Sequence, residues 1–226
     1  MASISYVFNL PDGRRENITL TFADDTFLLA IPADQPHEDW VALDFHQCPH
    51  CPLSPAQSPD CPLARALSGF VHGFDQFYSY DKAVVEVITA QRTVVSHQPL
   101  QSAMASILGL VGATSGCPHL AFFRPMARFH LPFASEQETL VRAFSIFLLG
   151  EYLRAGGQGN KQIGLETLQT RYRAVADVNI AMAERIRAAF TKDVVVNAIV
   201  ILDSFAQAVP WVIDDALTEI QPLFSA

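Results

Sequence analysis

Four cysteines carry the chemistry in this sequence. Cys48 and Cys51 stand in Cys-Pro-His-Cys, Cys61 follows ten residues later, and Cys117 lies far downstream. Each is followed by proline: Pro49, Pro52, Pro62 and Pro118. With 14 prolines in 226 residues, four Cys-Pro pairs by chance would be very improbable. Proline biases the residue before it toward an extended backbone and removes an amide next to the sulfur. Thiolates presented in this way suit a loop wrapped around an ion. Four-thiolate Zn²⁺ sites pair two ligands close in sequence with two brought in by the fold, and that is the spacing here. The same residues could hold a [4Fe-4S] cluster, for which Cys-Pro is also a familiar environment. A zinc knuckle usually has glycine after its second cysteine; Pro52 occupies that place and weakens the zinc reading. Cys-Pro-His-Cys also occurs in thioredoxin-like oxidoreductases, where the first cysteine opens a helix. Pro52, Pro55 and Pro59 leave little room for such a helix, and no βαβ pattern flanks the motif. The remaining reading is four unliganded core cysteines.

Polar residues cluster around these thiols in sequence. Asp44 and His46 precede Cys48, while His50 and His119 each lie two residues from a cysteine. Any of the three histidines can replace a thiolate or orient one from behind; solvated or core-satisfied rings are the ordinary alternative. Downstream of Cys117, the apolar stretch 120–133 carries Arg124, Arg128 and His130. Cations in such surroundings are paired, exposed or aimed at a cleft. They are read either as partners of acids such as Asp44 and Asp203 or as a pocket for a small anion beside the metal. No Glu-x-x-His pair, His-Glu-x-x-His, P-loop, Gly-x-Gly-x-x-Gly or Gly-x-Ser-x-Gly is present, so di-iron bundles and the commonest hydrolase and nucleotide sites are disfavoured.

The elements that must position these groups are legible from patterning. Residues 3–10 and 17–22 alternate apolar and polar around Pro11-Asp12-Gly13-Arg14, a hairpin signal. Short strands are expected at 27–31 and 41–45. Prolines 49, 52, 55, 59 and 62 then exclude helix interior and central strand. Helical spacing resumes over 63–78, with Pro62 at the first helical position. A second strand pair is expected at 83–89 and 92–97, followed by a helix over 99–112. Further helices are expected over 136–153, 164–190, 194–209 and 211–223, with 156–160 as the clearest flexible connection. The seam Leu165, Leu168, Tyr172, Val175, Asn179, Met182 and Ile186 marks a bundle helix lying against 194–209. A homodimer through this helical half is the alternative use of the seam, with Asn179 setting register in either case. The class is α+β: a small N-terminal antiparallel sheet with a Cys-rich Pro loop, followed by a C-terminal helical bundle. A division, if any, separates 1–133 from 134–226, packed as one continuous domain.

Composition narrows function. Half the residues are hydrophobic and 17% charged, so the chain can fill a core and is not a disordered one. The formal charge of −8, from 15 Lys and Arg against 23 Asp and Glu, makes general nucleic-acid binding improbable. The N-terminus lacks a basic region before its apolar residues and does not resemble a secretory signal. The longest apolar stretch, 194–213, is interrupted by Asn197, Asp203, Gln207 and Pro210, so no membrane span is expected. A cytoplasmic protein is the default, and in a reducing cytosol four cysteines suit ligands better than two disulfides.

Two long motifs resemble those of a bacterial family defined as a domain of unknown function. They are Leu43-Asp44-Phe45-His46-Gln47-Cys48-Pro49-His50-Cys51-Pro52-Leu53 with Cys61-Pro62, and Ser115-Gly116-Cys117-Pro118 leading into Arg124-Pro125-Met126-Ala127-Arg128-Phe129-His130-Leu131-Pro132-Phe133. The resemblance runs nearly end to end and implies that the two Cys-Pro regions form one unit. The residues themselves favour a structural Cys48–Cys51–Cys61–Cys117 metal site, zinc first, tethering the Pro-rich loop in an interaction or sensor module. An iron–sulfur or metal-dependent enzyme acting on a small anion near Arg124, Arg128 and His130 is the alternative.

Overall fold

The computed structural model describes residues 1–156 and 165–224, without the side chains of 214 and 216. Strands β1 (Ala2–Asn9) and β2 (Arg15–Phe22) form the expected hairpin, with Ala2 opposite Phe22 and Asn9 opposite Arg15. Gly13 takes φ of +85° at its turn, a conformation that disfavours any side chain. Strands β3 (Lys82–Ile88) and β4 (Thr93–Pro99) complete a four-stranded antiparallel sheet in the order β2-β1-β3-β4. Period-two alternation sets its inner face: Ile4, Tyr6 and Phe8 of β1 lie beside Leu20 and Phe22 of β2 and Val85 and Val87 of β3, all buried.

The sheet delivers the chain directly into α2 (Leu100–Thr114), whose Leu100, Ala103, Met104, Ile107 and Val111 are buried as the 3.6-residue spacing requires. Around α2 stand α1 (Pro62–Ser68), the short α3 (Arg124–Arg128), α4 (Glu136–Arg154), α5 (Glu166–Ala189) and α6 (Val194–Ile220). Ser135 caps α4 in a reciprocal capping box with Glu138. Helices α5 and α6 pack side by side, and Gln169 near the start of α5 donates to the Pro210 carbonyl late in α6, at 3.1 Å. The expected seam of α5 is buried within the chain from Leu168 through Ile186. One hydrophobic cluster joins sheet residues such as Tyr6 and Val85 to Val175, Ile199 and Ile213 of the helices. The architecture is α+β, with a helical C-terminal half after the N-terminal sheet.

Four local expectations are corrected. Residues 27–31 and 41–45 are not strands; each contributes one isolated bridge, Leu29 to Phe22 and Ala42 to Asp60. Asp39–Val41 instead makes a 3₁₀ turn. Helix α1 stops at Ser68 before Gly69, and the rest of 63–78 contains only the 3₁₀ turn Val71–Phe74. Arg124–Arg128 is helical, a turn too short to show periodicity. Pro210 does not divide the last helix, because one missing amide in a 27-residue ladder is outweighed by packing along α5. The glycine-rich connection lies, beyond Gly156, outside the described residues. By length and composition, Val194–Ile213 is apolar enough to cross a membrane, and 28% of it is buried inside the molecule.

Candidate functional site

The Pro-rich loop is assembled by contacts from elements far away in sequence. The Cys51 amide donates to the Cys48 carbonyl at 3.1 Å, closing a turn over Cys-Pro-His-Cys. Gln47 Nε2 reaches the Leu53 carbonyl at 3.0 Å. The other end of the loop is drawn back onto its start: the Leu43 amide donates to Pro59 and the Cys61 amide to Val41, both at 2.8 Å. Cys61 then caps α1, with Pro62 opening the helix as its missing N–H allows.

Cys117 arrives from the opposite direction, at the end of α2. Gly116 takes φ of +91° to reverse the chain there, and a Cβ on it would lie 3.9 Å from Cβ of Pro62. The residue before Cys117 therefore packs on the residue after Cys61. His119 closes the other side: its Nε2 lies 3.0 Å from the His50 carbonyl, and the two rings meet edge to face at 4.4 Å. These contacts bring the Cys117 segment onto both halves of the Cys-Pro loop.

The electrostatics report the same convergence. Burial pushes the Cys48 thiol up to about 12, and charge on Cys61, Cys117 and Cys51 adds to the rise. Cys117, itself buried, is pushed up to about 11 by desolvation, while the backbone amides of His119 and Leu120 bond its sulfur and oppose that rise. All four cysteines are free thiols. Among the described residues, no group of three or more His, Cys, Asp and Glu side chains is posed to hold a metal ion.

Helix α5 holds the loop from below with three side chains. Asp177 and Glu184, two turns apart on one face, lie 3.3 Å from His50 Nδ1 and His46 Nδ1. His46 sits at φ of +46°, an uncommon backbone for a residue other than glycine, where the Glu184 contact meets it. Next to Glu184 on the helix, Arg185 is only 2% exposed. Its guanidinium donates to the carbonyls of Trp40 (2.9 Å), Ala42 (2.7 Å) and Leu43 (2.8 Å), and it forms no salt bridge with a carboxylate among the described residues. Burial lowers the pKa of Arg185, and the nearby Cys61, Cys48 and Cys51 thiols and Asp44 carboxylate act against that. The acidic groups around this cation are chiefly sulfurs.

The arginines downstream do not form one pocket with His130. Arg128 is exposed and stacks over Phe27 at 5.2 Å, and Arg124 Nε is buried without a partner. Neither forms an ion pair with Asp44 or Asp203 among the described residues. His130 accepts or donates at 2.6 Å to the Tyr6 hydroxyl, which also bonds Ser106. Burial, with the Arg142 charge beside it, holds His130 down to about 4, so its ring is neutral at pH 7. It lines a cavity between the helices that neither arginine reaches.

With the geometry in hand, comparison with known families gives one match. The family described as "Domain of unknown function (DUF6901)" matches residues 4–225. The chain belongs to this family. No curated protein and no solved structure matches it. The family spans the sheet, the thiol loop and the helices together, as the end-to-end resemblance of the two Cys-Pro motifs implies.

Sequence spacing found all four thiols and the three histidines near them. It missed Asp177, Glu184 and Arg185. None of the three falls on the seam of α5, so helical spacing carries no sign of them.

Proposed function

We propose that Cys48, Cys51, Cys61 and Cys117 bind one metal ion, zinc first, and that this ion fixes the Pro-rich loop to the end of α2. The observation that carries the reading is the fully buried Arg185. A guanidinium placed there hydrogen-bonds only carbonyls, with Asp44 as its one nearby carboxylate, and a cation so buried is costly unless more negative charge answers it. Four thiolates around a divalent ion carry net charge −2, and Arg185 would be its counter-charge. The two amides bonded to Cys117 sulfur also favour a thiolate over a thiol. Ligation draws the four sulfurs inward on the ion and releases their protons.

A closed four-thiolate zinc has no open coordination position, so the role is structural. The metal would make the loop a rigid surface element of an interaction or sensor module. A [4Fe-4S] cluster on the same residues is the second identity, since ligand type hardly separates the two. His50, whose Nε2 is buried without a partner, is the candidate substitute ligand for one thiolate.

Metal analysis with a visible spectrum on anaerobically purified protein tests the reading. One colourless zinc per chain is the expected result, whereas brown protein with iron and sulfide assigns the cluster. Protein that stays metal-free after incubation with either metal refutes both. Cys117→Ser should lower metal content or affinity by at least about tenfold; undiminished binding in that variant, with loss in His50→Ala, makes His50 the fourth ligand.

A further inference from the structure

Apart from the thiol centre, the helices line a half-open cavity of about 480 Å³. This falls within the range of about 300–1,000 Å³ that small-molecule sites occupy. Helix α2 forms one wall, α5 and α6 the facing one, and α1, α3 and the start of α4 close the remainder. Leucine, phenylalanine, methionine and alanine dominate its surface. A space of this size between apolar helices forfeits the close packing found elsewhere in the core.

Two polar side chains of α5 line this cavity with no hydrogen-bond partner for one polar atom each among the described residues. Tyr172 is 1% exposed and Asn179 7% exposed; both line it, and both Tyr172 Oη and Asn179 Nδ2 are buried without a hydrogen-bond partner. They lie two turns apart on the seam, separated by Val175. An unpaired buried donor costs about 1–3 kcal/mol, so two of them beside an apolar void are hard to account for as packing alone. Both groups can donate a hydrogen bond, so they call for an acceptor from a ligand.

The charged groups at the cavity are already answered. Arg142 donates to the Met126 carbonyl at 3.0 Å and the Phe129 carbonyl at 2.8 Å; burial lowers its pKa, and the nearby Glu138 carboxylate opposes that. His130 is occupied by Tyr6. Glu136 is the remaining charged group on the lining, exposed in the first turn of α4. We propose that this cavity binds a neutral, mainly apolar small molecule whose carbonyl or ether oxygen accepts hydrogen bonds from Tyr172 and Asn179.

A displacement assay on the full chain tests this. Nile red, a neutral fluorophore, is bound first and then competed with pentylbenzene, valerophenone and 5-phenylvalerate. These share a phenyl ring with an attached chain but carry no acceptor, a ketone and a carboxylate respectively. The ketone should compete about tenfold more strongly than the hydrocarbon, the worth of one buried hydrogen bond. Tyr172→Phe, which removes only the hydroxyl, and Asn179→Leu should each erase most of that preference while retaining hydrocarbon binding. Gly109→Leu adds bulk at the cavity wall, where a Cβ would meet only Leu202 Cδ2 at 3.9 Å, and should abolish displacement by all three. Circular dichroism checks that each variant is folded. Equal competition by ketone and hydrocarbon in the native chain overturns the proposal. So does strongest competition by the carboxylate, Nile red binding that survives Gly109→Leu, or a ketone preference unchanged in both α5 variants.

Discussion

The sheet with α2 and the thiol loop are built on opposite principles. In the sheet, β1 is paired on both edges, and backbone groups satisfy one another while Tyr6, Phe8, Val85 and Val87 bury their side chains. From Ala42 to Cys61 there is no strand and no helix. That loop is held by side chains reaching in from elsewhere: Arg185 to three carbonyls, Glu184 to His46, Asp177 to His50 and His119 to the His50 carbonyl. Four prolines in this region forbid the ladders that would otherwise do this work. A segment stabilised in this way is only as fixed as its few ties, and a metal ion would be the strongest of them.

The largest effect is expected in the sheet. Phe8→Ala removes a fully buried ring packed edge to face on Phe74 at 4.8 Å and should lower global stability by about 3–5 kcal/mol. Urea unfolding measures it, and metal content per folded chain should not change. Arg185→Leu should cost about 3 kcal/mol, because three buried carbonyls lose their donor. Its signature differs: hydrogen exchange should accelerate first at the Leu43, Cys51 and Cys61 amides and leave β1 and β3 protected. Uniform loss of protection in both regions would mean that the loop and the sheet unfold as one unit.

The buried histidine under the sheet makes stability depend on pH. His130 is held near 4 when folded, against about 6.5 for a free imidazole, so the unfolded chain binds the extra proton between these values. The stability contributed by neutral His130 is complete above pH 6.5 and is lost as pH falls toward 4, by up to about 3 kcal/mol. His130→Gln should flatten the unfolding profile between pH 6.5 and 4, and an unchanged slope would remove His130 as its source. The smallest effect belongs to a helix end: Ser135→Ala breaks the capping box of α4 and should cost about 1 kcal/mol without altering the thiol loop.

Much of the scaffold was legible because its rules are local. The hairpin around Gly13, the strand pair, the buried face of α2 and the seam of α5 all follow from period-two or helical spacing. The errors fell where periodicity ends. Residues 27–31 have strand composition but only one bridging partner, and α6 runs through Pro210, whose carbonyl Gln169 of α5 bonds. The thiols could be named from spacing alone; their neighbours on α5 could not, since Asp177, Glu184 and Arg185 look like an ordinary solvated helix face.

By itself the sequence determined the α+β order of elements, the apolar faces and the four Cys-Pro positions, since these depend on each residue and its near neighbours along the chain. Folding in three dimensions was needed to set Gly116 on Pro62, to bury Arg185 near the thiols, and to bring Tyr172 and Asn179 onto one cavity wall. Those are contacts between residues tens of positions apart. Their energies come from burial and from unpaired polar groups, and neither quantity exists until the elements are packed.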